Sequence, residues 1–231
     1  MAWVMTSNMH ERVVLDEGDR DAQMRRKVQQ SKAVLETLPR HPFWHPEHVK
    51  HGNLTSGLLH PTISPPFYGK IERFQAPLLG MFSSLAGYAV SATAIELIES
   101  VDPGVHRYHP FDLTMADGST TPEPYMLLNI GKRADTIALE ASPNIVKRMH
   151  DNMVGNEPGT YPDWWSYVID NKRNYPISAA YKDRVANLSI WYDYKLDKVM
   201  ISDRLMALFL DHGILRLEPE APFHLWQLRE V

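Results

Sequence analysis

The densest run of residues able to do chemistry in this chain is rich in histidine. His41, His45, His48 and His51 follow one another at intervals of four, three and three. On a helix that spacing gathers them toward one face, and neutral imidazole is a good ligand for transition metals. Glu47 is the one carboxylate among them, so a metal-dependent hydrolase using His41, His45, His48 and Glu47 is one reading. Pro42 and Pro46 oppose it, because a proline inside a helix removes a hydrogen bond and clashes with the preceding turn. No Cys or Asp is interleaved, and no zinc-ligand spacing is present. The expectation is a solvated or packed loop rather than a metal site.

Other catalytic signatures are missing. There is no glycine-rich phosphate loop, no GxSxG nucleophile elbow and no HExxH. The absence of cysteine removes thiolate chemistry and disulfides, as suits a reducing compartment. Eleven histidines and 28 acids leave room for a dispersed acid–base pair, but none stands at an informative spacing. The expectation is a protein that is not an enzyme and needs no cofactor, which directs attention to binding.

Two stretches present side chains suited to a protein contact. The first is a hairpin tip signalled by Asp117-Gly118, with Glu123 beside it. The second is the proline-containing stretch at 151–167, which carries Glu157, Tyr161, Asp163, Trp164 and Trp165. Adjacent tryptophans serve either as a core plug or as a contact hot spot. A solvated turn or a buried aromatic is the plainer reading of each residue taken singly.

The elements that would position these residues follow from pattern. Residues 198–217, KVMISDRLMALFLDHGILRL, read as strand, helix and strand. A short apolar run precedes Ser202, a good N-cap, and Asp203 suits the first turn of the helix. Leu205, Met206, Leu208 and Phe209 form an apolar stripe, and Gly213 ends the helix. A closing strand is expected from Leu215. The stretch 88–110 aligns with it, Val90 on Ile201, Ser91 on Ser202, Ile95 on Met206, Leu97 on Leu208, Ile98 on Phe209 and Arg107 on Arg216, as a degenerate repeat would. Residues 2–5 are expected as an edge strand, 21–38 as a helix and 105–115 with 125–130 as a hairpin. Strands are also expected at 136–139, 188–194 and 222–228, and a helix from Ser142, with Pro143 at its first position.

Together these elements make an α+β fold, a mostly antiparallel sheet with a few packed helices. An N-terminal helix with a Pro/His-rich segment would occupy 1–66 and an α+β domain 67–231, the alternative being one continuous domain. With 231 residues, 44% of them hydrophobic and 23% charged, the chain has the composition of a soluble globular protein. No run reaches the ~18 apolar residues of a membrane span, and residues 1–8 lack the basic leader of a signal peptide. A net charge of −4 disfavours nucleic acid as a partner and suits a basic protein.

Three pieces resemble a family of bacterial immunity proteins of polymorphic toxin systems, the one catalogued as immunity protein eleven. They are PYMLLNIGKRADTIALEAS at 124–142, where such proteins have a tyrosine, an apolar strand, then an acid and an acid–Ser pair, the strand at 188–194, and MISDRLMALFLDHGILRLEP at 200–219. The resemblance runs from about residue 87 to the C-terminus. It implies a cytoplasmic protein that binds a cognate toxin domain and blocks it without turnover, the toxin often being a nuclease with a basic cleft. It carries over no contact residues. A structural module of a secretion apparatus is a third reading.

Overall fold

The structure is a computed structural model that describes residues 1–5, 13–16, 67–74, 77–84, 87–150, 164–169, 178–193, 195–196, 198–217 and 225–231. In chain order the described elements are β1 (Ala2–Met5), β2 (Val13–Asp16), β3 (Phe67–Phe74), β4 (Met81–Ser84), β5 (Gly87–Ser91), α1 (Ala92–Val101), β6 (Arg107–Met115) and β7 (Tyr125–Asn129). There follow β8 (Arg133–Ala134), a 3-10 turn (Leu139–Ala141), β9 (Ile145–His150), β10 (Trp164–Ile169), β11 (Ala179–Ala180), α2 (Lys182–Val185), β12 (Ile190–Asp193), β13 (Lys198–Ser202), α3 (Asp203–Asp211) and β14 (Leu225–Glu230). The fold is α+β. One six-stranded sheet has the order β2-β3-β6-β7-β5-β4 and the other β11-β14-β1-β13-β12-β8, while β9 and β10 form a separate ribbon. Among the described residues most pairings are antiparallel. The parallel ones are β3 with β6, β8 with β12 and β11 with β14.

The two sheets repeat one arrangement. The strands β4-β5-β7-β6-β3 match β12-β13-β1-β14-β11 in order and in relative sense. The register matches too, since Val90 lies opposite Met81 as Ile201 lies opposite Ile190. Ser91 N donates to Gly80 O at 2.8 Å, and Ser202 N to Ser189 O at 2.8 Å. Ala92 N donates to Pro124 O at 3.2 Å, and Asp203 N to Met1 O at 3.0 Å. The aligned serines therefore occupy equivalent places. The closing strand does not lie where the alignment puts it. Arg216 and Leu217 are in no strand, and the counterpart of β6 is β14. The chain takes longer to return from α3 than from α1, so the second copy carries extra residues before its closing strand.

Each helix starts for the same local reason. The Ser91 hydroxyl accepts the Ala94 amide at 3.3 Å and that of Ser202 the Leu205 amide at 3.3 Å, each filling one of the free donors of a first turn. Gly104 and Gly213, with φ of 68° and 67°, take the left-handed conformation just beyond the helix ends. Replacing Ser202 by Ala should cost about 1 kcal/mol. Ser91→Ala should cost about 2 kcal/mol, because its partner amide is buried and left without an acceptor. Urea midpoints of the two variants check this order.

The helices face each other across the central core, where Ala94, Ile98, Leu205 and Phe209 meet Tyr88, Val90 and Leu128 from one sheet and Met5, Ile190 and Ile201 from the other. A second cluster, with Phe82, Phe111 and Leu127, covers the opposite face of the β4–β7 sheet. A third, around Trp191, Met200 and Val4, covers the opposite face of the other sheet. Burial of each such side chain contributes about 1.5–3 kcal/mol.

Three expectations are corrected here. Residues 2–5 form a central strand between β13 and β14, not an edge, and Ala2, Val4 and Met5 are fully buried. A strand covered on both faces shows a continuous apolar run in place of alternation. The helix expected from Ser142 is absent. Its hydroxyl donates to Ala138 O at 2.7 Å and accepts the Ala179 amide at 2.8 Å, and Ile145–His150 is extended. Residues 136–139 make one bridge, Ile137 with Ala180, before the 3-10 turn. The helix expected at 21–38 lies outside the described residues.

Candidate binding face

The residues singled out from sequence fall in three places. His41, His45, His48, His51, Glu47, Glu157, Tyr161 and Asp163 lie outside the described residues. Trp164 and Trp165 open β10, paired in the ribbon with His150 and Met149. Asp117 and Glu123 flank the β6–β7 hairpin. The Asp117 carboxylate accepts the Ser119 amide at 2.9 Å and its hydroxyl at 2.6 Å, closing the turn in which Gly118 has a φ of 83°. Those bonds hold its pKa below the ordinary carboxyl value, and the side chain stays in solvent. Glu123 reaches α1, where Oε2 accepts the amide and hydroxyl of Thr93, each at 3.2 Å. It supplies the negative charge that the first turn of α1 lacks in its own sequence.

The polar cluster that most resembles a catalytic group sits past the end of α1. Asp102 Oδ1 takes the Lys132 ammonium at 2.6 Å, and Oδ2 the His106 Nε2 at 3.3 Å. His106 Nδ1 accepts the Gly131 amide at 3.3 Å. Both ring nitrogens are thus spent and the side chain is fully enclosed, so His106 has no face from which to exchange a proton with a substrate. The cluster clamps the turn after α1 to the crossover that leads from β7 into the second sheet. Among the described residues, no group of three or more His, Cys, Asp or Glu side chains converges as a metal ion would require. Among the same residues, no helix is long and apolar enough to cross a membrane.

Burial lowers the pKa of His106, against the pull of Asp102, and lowers that of His109, with Arg107 adding to the effect. Above neutral pH these histidines are uncharged in both folded and unfolded chains. As the pH falls through 6.5, the unfolded chain takes up protons that the folded one resists, so stability drops. The limit is about 1.4 kcal/mol per pH unit per histidine. Urea unfolding between pH 7.5 and 5.5 should show this slope, and His106→Gln or His109→Gln should each flatten it.

The polar positions in the segment from β7 to the 3-10 turn also have structural tasks. The Tyr125 hydroxyl donates to Leu79 O at 2.7 Å. Asp135 pairs with Lys195 at 2.8 Å and Arg184 at 3.5 Å, and Glu140 accepts the Tyr181 hydroxyl at 2.8 Å. Together with Ser142 they tie this segment to β11, α2 and the β12–β13 turn. No curated protein matches the chain. Residues 21–215 match the immunity protein family Imm11. A match of that extent, running from the N-terminal third to just past α3, means that the chain belongs to the immunity protein family (Imm11).

Proposed function

We propose that this protein protects a toxin-producing bacterium by binding a cognate toxin domain in the cytoplasm and covering its active site. Membership of the immunity protein family is the observation that carries the reading. The net charge of −4 supports a basic partner, such as a nuclease whose cleft binds nucleic acid. Complementary charge speeds encounter and selects the partner, and occlusion needs no turnover. The polar cluster around Asp102 is spent on internal contacts, consistent with an inhibitor that makes no bond to a substrate.

Co-expression with candidate toxin domains, those of neighbouring reading frames first, tests the reading. The expected result is restored growth and a complex that survives purification. Growth arrest with no complex would reject it.

A further inference from the structure

The face of the β4–β7 sheet that carries α1 is covered over only half its width. Tyr108, Leu128, Val90 and Tyr88 on this face belong to the central core. Toward β3 none of the described residues covers the same face. Gly69 and Ile71 of β3 and Phe111 and Leu113 of β6 turn to the opposite side. By alternation, Tyr68, Lys70 and Glu72 share the open side with Pro110 and Asp112. Tyr68 lies opposite Asp112 in the register and is 42% exposed. Lys70, Glu72, Pro110 and Asp112 are exposed as well.

Helix α1 forms one bank of this open strip. Thr93 is fastened to Glu123 at the foot of β7, and Glu99 accepts the Tyr108 hydroxyl of β6 at 2.8 Å. Residues three apart lie along one flank of a helix, so Glu96 projects from the same flank between those two anchors. Glu96 is exposed, and neither it nor Asp112 has a hydrogen bond or ion pair among the described residues. Among the described residues four carboxylates, Glu72, Glu96, Asp112 and Glu123, thus stand against one ammonium, that of Lys70, around an exposed tyrosine and proline. Desolvating such a surface is favourable only where opposite charge replaces water.

We propose that this strip between α1 and β3 is the surface that receives a cationic patch of the toxin domain, with Tyr68 as its aromatic anchor. The assignment rests on the toxin-binding reading above. Unpaired carboxylates attract the partner from a distance, and a tyrosine held on a strand offers contact area at little entropic cost.

Association kinetics of the whole chain with the toxin domain that it neutralises in the co-expression assay, followed over a range of salt, test it. Glu96→Lys/Asp112→Lys should slow association about tenfold at low salt and flatten the salt dependence. Tyr68→Ala should leave association alone and speed dissociation about tenfold. Asp183→Lys on α2 is the control and should change neither. Urea midpoints verify folding, and Glu96→Gln/Asp112→Asn replaces the charge-reversed variant if that one is unstable. Native kinetics in a folded Glu96/Asp112 variant would overturn the assignment while leaving toxin binding intact. So would a native dimer that this variant splits without effect on the toxin, because the strip would then belong to a second copy. A native chain that binds no toxin at all would instead defeat the functional reading.

Discussion

Asp193→Ala should destabilise the protein by about 4 kcal/mol, with a fall in melting temperature of roughly 10 °C or more. Asp193 ends β12 with no solvent exposure. One carboxylate oxygen accepts the Thr136 amide and hydroxyl, each at 2.7 Å, and the other the amides of Lys195 and Leu196 at 3.0 and 3.1 Å. The Thr136 hydroxyl in turn accepts the Trp191 indole N–H at 3.2 Å. One side chain thereby holds the turn into β13 and fastens the crossover from the other sheet. Burial pushes its pKa above the ordinary carboxyl value, and the bonds from Thr136, Leu196 and Lys195 pull it back. An alanine would leave these donors without an acceptor in the protein interior, at about 1–3 kcal/mol for each that water fails to reach. Asp193→Asn should fall between, since an amide keeps one acceptor and turns donors toward the other pair. Denaturant unfolding of both variants measures the effect. A loss below 1 kcal/mol for the alanine would mean that the crossover opens to water at little cost.

Gly131→Ala should cost about 3 kcal/mol, at the upper end of overpacking. A Cβ at this position would lie 2.0 Å from Val105 O and 3.1 Å from Val105 C. Both are backbone atoms of the turn after α1, so no side chain can swing aside. Relief requires the two segments to part, which breaks the Gly131 amide's bond to His106 and strains the Lys132–Asp102 pair. Gly104→Ala is the informative comparison. It meets nothing within 4 Å, but its φ of 68° is unfavourable for other residues, so about 1 kcal/mol is expected from backbone strain alone. Equal losses in the two variants would show that the approach of Val105 has no energetic weight.

Local chemistry made several parts of this molecule legible without coordinates. Ser91 and Ser202 stand before apolar stripes of helical period and do cap α1 and α3. Asp117-Gly118 marks the β6–β7 turn because glycine accepts the positive φ there and the aspartate bonds two residues on. The alignment of Val90-Ser91 with Ile201-Ser202 anticipated the repeated arrangement as far as the helices. It could not place the strands that complete each copy. In one copy the neighbour of β5 is β7, close in sequence, while in the other the neighbour of β13 is β1, from the far end of the chain.

Elsewhere the local signal pointed the wrong way. Ser142-Pro143 is a reasonable helix start, yet Ile145–His150 pairs along its whole length with Trp164–Ile169. Cross-strand partners outweigh a cap of about 1 kcal/mol. Of the residues expected to meet a partner, Asp117 closes the β6–β7 turn and Glu123 bonds to Thr93 at the start of α1. Tyr68, Glu96 and Asp112 carried no signal, because nothing in their neighbours tells which half of a sheet face a helix leaves bare.

The sequence alone determined what depends on near neighbours: caps, turns, apolar stripes, the net charge and the likeness to an immunity family. Tertiary structure decided that residues 2–5 are central, that Gly131 admits no side chain, and that Asp193 joins two segments 57 residues apart. The division has a physical cause. A cap or a turn is satisfied within a few residues, so its requirement is written beside it, whereas a buried donor or a close backbone approach is satisfied by whatever the fold brings near.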